Sequence, residues 1–174
     1  MIKSSKARKV ARTVLLVGEG DAEVFFLQYL KSLYVQRGSG VVVTIKNARG
    51  KGALHVVDFT IRQSRNAEYD VKVALLDTDT DWNDKTRKLA KSGKVHVLPC
   101  VPCLEADLLR CHEMAIHGLT SAQLKIQFLK KFNHPAAAQE VYKKHFSIDL
   151  LAEAKARVGN LDVLLTLFAT GFTA

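Results

Sequence analysis

Aspartates alternate along Asp77-Thr78-Asp79-Thr80-Asp81, directly after the apolar run 71–76. Three carboxylates at this spacing repel one another and raise each other's pKa unless a cation neutralises them, and hard oxygen donors of this kind suit magnesium or manganese. A second acidic pair lies in Gly18-Glu19-Gly20-Asp21-Ala22-Glu23. There two glycines let the chain turn sharply out of a strand, and Glu19 and Glu23 fall four residues apart at the start of a helix. Each group alone has a structural explanation. An acidic loop can cap the next helix, and a carboxylate in a first helical turn favours the helix dipole. Taken together, at the ends of two strands, they describe a divalent-cation site.

The elements that must position these groups follow from hydrophobic periodicity. β-branched and aliphatic runs alternate with amphipathic segments, the pattern of a parallel sheet covered by helices, so the expected class is α/β. Strands are expected at 13–18, 41–46, 71–76 and 94–98, with helices at 21–34, 53–64 and 85–91 between them. The near-continuous apolar run 71–76 implies a strand buried on both faces at the sheet's centre. Pro99 and Pro102 are expected to end regular structure. From Leu104 the pattern turns helical, with helices expected at 104–116, 121–132, 135–145 and 150–168. The reading is one globular unit: a basic flexible arm over 1–12, an α/β core over 13–103 and a helical extension over 104–174 packed on it. Ligands of open parallel sheets bind outside the carboxyl ends of the strands, which puts both acidic groups on the functional edge.

The formal net charge is +9, and five of the positive charges (Lys3, Lys6, Arg8, Lys9, Arg12) lie in the first twelve residues, leaving about +4 for the rest. A basic protein with a basic arm suits a phosphate-rich partner. The loop Lys46-Asn47-Ala48-Arg49-Gly50-Lys51-Gly52 leaves the second strand at the same edge and opens a helix. Lys46, Arg49 and Lys51 are therefore candidate phosphate-binding residues. Three cysteines form no closed disulfide set, which fits a reducing, cytoplasmic setting. Cys100, Cys103, Cys111 and His112 do not make a zinc knuckle, because Cys111 and His112 are adjacent in a helix and diverge. No apolar stretch approaches the roughly 20 residues that span a bilayer, so no membrane partner is expected.

The strand followed by Glu19-Gly20 and Glu23, then the apolar strand ending in Asp77-Thr78-Asp79, resembles the Toprim domain of topoisomerases, primases and OLD-type nucleases. The run Pro102-Cys103-Leu104-Glu105-Ala106-Asp107-Leu108-Leu109 is similar to the stretch after the fourth strand of small RloB-like Toprim proteins associated with phage defence. The resemblance covers about residues 13 to 109. It implies Glu19 as general acid or base, Asp77 and Asp79 as metal ligands, Glu23 as the second glutamate of an OLD-type site, and Glu105 as a further acidic contributor. Asp81 extends the aspartate set. Ala22 departs from the small hydroxyl residue usual there in OLD-like members.

The implied activity is a nuclease using two magnesium or manganese ions, since such ions about 3.5–4 Å apart can stabilise both oxygens of an in-line phosphoryl displacement. Its partners would be DNA or RNA and a defence-system protein. Three other readings stand beside it. An EF-hand loop needs glycine at its sixth position and glutamate at its twelfth, where this chain has Trp82 and Lys88. A haloacid-dehalogenase-like phosphotransferase shares two aspartates two apart, but its motif follows the first strand and needs a late acidic pair. A non-catalytic metal- and nucleic-acid-binding module of a larger defence complex would use the same residues without turnover. The chain is too short for topoisomerase strand passage.

Overall fold

The structure, a computed structural model, describes residues 12–172, so the arm expected over 1–12 lies outside it except for Arg12. Twelve elements follow in order: β1 (Arg12–Gly18), α1 (Asp21–Tyr34), β2 (Val41–Asn47), α2 (Gly52–Gln63), β3 (Val71–Asp77), α3 (Asp84–Ser92), β4 (His96–Cys100), α4 (Leu104–Cys111), α5 (Ser121–Phe132), α6 (Gln139–His145), α7 (Ile148–Ala154) and α8 (Gly159–Thr170). The four strands form one all-parallel sheet in the order β2-β1-β3-β4. The α/β class and the helical C-terminal part are as the sequence pattern requires.

Alternation along the two central strands sorts the core into two layers. Val14, Leu16, Val73 and Leu75 face α1 and the helices α4 to α8, while Leu15, Val17, Ala74 and Leu76 face α2. All eight side chains are buried, which explains why β1 and β3 read as continuous apolar runs. The first layer holds the large aromatics Phe128, Tyr142, Phe146 and Phe168, each fully buried. The helical extension thus shares one core with the sheet. Among the described residues no helix is long and apolar enough to cross a membrane.

The chain runs outward from β1 to β2 and then crosses back over β1 to β3. Strand order therefore reverses between β1 and β3, which opens a crevice at their carboxyl ends. Glu19 follows β1 and Asp77 ends β3, so the topology brings the two acidic groups to that crevice.

Four boundaries differ from expectation. Pro99 lies inside β4, paired with Leu76; β4 is an edge strand, where a missing N–H leaves no ladder bond broken. The helix expected over 104–116 stops at Cys111, because Glu113 takes a left-handed φ of 56° and the Met114 N–H reaches back to the Leu109 carbonyl. That is a Schellman-type stop made without glycine. The helix expected over 135–145 starts only at Gln139, after a turn closed by the Ala138 N–H on the Pro135 carbonyl. The helix expected over 150–168 is two helices. Ser147 caps α7 through the Leu150 N–H, and the chain breaks before α8, where the Arg157 guanidinium donates to the Arg110 and Cys111 carbonyls.

Tyr142 ties two segments that border the crevice. Its hydroxyl donates to the Ala136 carbonyl at 2.6 Å and lies 3.1 Å from the Ala22 carbonyl, tying the turn before α6 to the start of α1. Tyr142→Phe leaves the buried Ala136 carbonyl short of a donor. It is expected to lower stability by about 1–2 kcal/mol in urea unfolding with the fold retained.

Candidate functional site

At the crevice a cleft of about 610 Å³ is lined by Glu19, Glu23, Asp77 and Glu105, with Lys125, Ile126 and Leu129 of α5 and the turn 135–137 opposite. Each acidic group arrives on a different support. β1 delivers Glu19, whose Oε2 accepts the Asp77 N–H at 3.1 Å, so the ends of the two central strands are joined through a candidate catalytic side chain. Glu23 sits in the first turn of α1 and its Oε2 accepts the Gly20 N–H at 2.8 Å. Gly18 must be glycine, since a Cβ there would stand 2.8 Å from the Glu23 Cβ. Asp77 accepts the Leu104 N–H at 2.9 Å, which fastens β3 to the start of α4, and α4 brings Glu105.

Burial of so many carboxylates together has an electrostatic cost that shows in their titration. Burial pushes Asp77 up to about 8, with Glu23 and Glu105 adding to it and Lys125 opposing. Burial likewise raises Glu23 to about 7 against the pull of the Gly20 N–H, and Glu105 and Glu19 raise it further. Glu19 is raised by burial and by Asp79 and Asp81, with the Asp77 N–H working against the rise. Lys125 is the counter-charge: its Nζ lies 3.9 Å from the Asp77 carboxylate. Burial works against its charge, but Glu105 and Asp77 outweigh that and hold its pKa above the ordinary lysine value.

The aspartates of 77–81 do not act as one group. Asp79 is exposed, outside the cleft lining, and bears on the site through its charge near Glu19. Asp81 turns away to α2, where its carboxylate accepts the Ala53 and Leu54 N–H groups. That is an N-terminal cap made from a distant part of the same chain, satisfying two of the helix's orphan donors. Asp81→Ala is expected to cost about 1 kcal/mol of stability, as caps do, and to leave divalent-ion affinity nearly unchanged in a titration.

The basic loop adjoins Glu19, though none of its residues lines the cleft. Ala48 and Gly50 donate to the carbonyls of Gly18 and Glu19, and the Asn47 side chain donates to Asp21 at 2.7 Å. Arg49, Gly50, Lys51 and Gly52 all have positive φ. Two non-glycine residues in this region are strained, and such strain gathers at ligand clamps. Lys46, Arg49 and Lys51 are exposed, and none has an acidic partner among the described residues.

Among the described residues no three His, Cys, Asp or Glu side chains are grouped to hold a metal ion as they stand. Glu19, Glu23 and Asp77 each turn an oxygen to a backbone N–H. The donor set is nevertheless all oxygen, and every carboxylate of raised pKa here would be relieved by a divalent cation, so the residues fit magnesium or manganese. They do not fit zinc. Cys100, Cys103 and Cys111 are free and buried, and burial pushes the Cys103 and Cys111 thiols up to about 12. His112 packs against Phe132 and Phe146.

One participant, Lys125, escaped the sequence reading. Lys125 is 48 positions from Asp77 on a helix whose buried stripe, Leu124, Phe128 and Phe132, marks only its packing face, so no local signal points to it. Asp107 is buried, but it bonds Arg110 and the Asn160 side chain and so joins α4 to α8 outside the cleft. Compared with protein-family models, curated proteins and solved structures, the chain matches none of them.

Proposed function

We propose that this chain is a divalent-metal-dependent nuclease with a Toprim-type acidic site. The observation that carries the reading is the convergence of Glu19, Glu23, Asp77 and Glu105, from β1, α1, β3 and α4, on one cleft at the point where strand order reverses. Side chains that only cap helices have no reason to meet at an open cleft, nor to include two, Asp77 and Glu23, that burial pushes up to about 8 and about 7. Glu23, Asp77 and Glu105 would hold magnesium or manganese, with Asp79 at the rim. Bound there, the metal supplies charge stabilisation for the attacking and leaving oxygens of a phosphodiester. Glu19, beside the Asp77 backbone, would hold or move the proton of the attacking water, and Lys46, Arg49 and Lys51 would grip the flanking phosphates. Three buried reduced thiols agree with a cytoplasmic setting, and a defence-system partner is part of the same proposal.

One observation favours a second reading. Each of Asp77, Asp81 and Glu23 also satisfies backbone donors, which is what a non-catalytic module that binds metal and nucleic acid would retain. Cleavage separates the two. The full chain, incubated with DNA, RNA and transfer RNA in magnesium or manganese, is expected to cut at least one of them and to stop on chelation. A panel without cleavage under any of these conditions would sink the nuclease reading and leave the binding module.

A further inference from the structure

The cleft has two unlike walls. Against the carboxylates stands an apolar wall made by Ile126 and Leu129 of α5 with Pro135 and Ala136. Ile126 is 54% exposed and Leu129 48%, so large apolar side chains face open space beside a charged floor. A nucleic-acid duplex offers such a wall little, because its surface is mostly phosphate, sugar and the polar edges of bases whose faces are stacked inside. An unpaired base offers a flat apolar face, and sites that hold one press it against apolar or aromatic side chains. A cleft of about 610 Å³ has the size of a small-ligand site. Charge sets the direction. Lys125 is the one cation among the lining residues and lies one turn before Leu129 on the same face of α5, so a phosphate at the acidic end leaves its base along that face.

We infer that the cleft takes a single unpaired nucleotide, its base against Ile126 and Leu129 and its phosphate toward Lys125 and the carboxylates, so that the substrate is single-stranded at the point of attack. The inference rests on the metal-dependent nuclease reading for its chemistry. Fluorescence anisotropy of the full chain, with calcium in place of magnesium, measures binding of a short single-stranded oligonucleotide and of the blunt duplex of the same sequence. DNA and RNA versions tell which sugar the site accepts. The single strand is expected to bind about tenfold more tightly than the duplex, and Ile126→Ser with Leu129→Ser to remove about that factor while duplex binding stays the same. Both positions are exposed, and unchanged melting of the double variant confirms its fold. Ile126→Phe, which adds a stacking face, is expected to tighten single-strand binding. Equal binding of strand and duplex, or a double variant and an Ile126→Phe that both bind like the parent, overturns the inference. Duplex cleavage that the double variant leaves intact also overturns it and spares the nuclease reading. Single-strand binding with no cleavage of any substrate does the reverse.

Discussion

Asp77→Asn is expected to make the metal-free chain more stable at pH 8 while abolishing metal-dependent cleavage. Burial holds the Asp77 carboxyl near pH 8 in the folded chain, against an ordinary value of 3.8. Between those values the folded state keeps a proton that the unfolded state has released. Stability from this group is therefore full below the unfolded pKa and falls as pH rises through the folded one, at up to about 1.4 kcal/mol per pH unit. At pH 8 the parent carries a penalty on the order of a few kcal/mol that asparagine lacks, and asparagine's oxygen can still accept the Leu104 N–H. Urea unfolding in chelator at pH 5 and pH 8 checks this. The parent should lose stability across that range, and the variant should lose less, retaining the part due to Glu23. A divalent ion reverses the balance: it must displace these protons, so its affinity should rise steeply from pH 6 to pH 8. A variant less stable than the parent at pH 8 would contradict the assignment.

Glu19→Gln is expected to lower the cleavage rate by roughly 10²–10⁴-fold, the usual contribution of a positioned acid or base. The glutamine carbonyl can replace Oε2 as acceptor for the Asp77 N–H, so the join between β1 and β3 and the melting temperature should hold. Single-turnover kinetics would show whether the loss lies in the chemical step. A variant that cuts within a few-fold of the parent would leave Glu19 as a strand tie only.

What could be read from the sequence divides along physical lines. β1 and β3 were legible because both faces are buried and their runs are apolar throughout, and the acidic groups at their ends were legible because strand ends are where an open parallel sheet puts its ligands. The fate of Asp81 was not. Alternation suggested three equivalent carboxylates, whereas the chain turns after Asp79 and gives Asp81 to the α2 backbone, a contact across 28 residues. Lys125 was hidden for the same reason, since a cation that meets its partner only through tertiary packing leaves no local pattern. Helix ends in the C-terminal part were misjudged where the stop is made by Glu113 in a left-handed conformation, with neither glycine nor proline there to mark it, and at the break before Gly159, where Arg157 reaches the Arg110 and Cys111 carbonyls.

The central claim is that the cleft binds divalent metal through Asp77 and its neighbours. Calorimetric titration of the full chain with manganese near pH 7, in two buffers of different ionisation enthalpy, tests it most directly. Saturable binding of up to about two ions with net release of about one to two protons, lost in Asp77→Asn, is the predicted result. No saturable binding, or the same binding in Asp77→Asn, would contradict it.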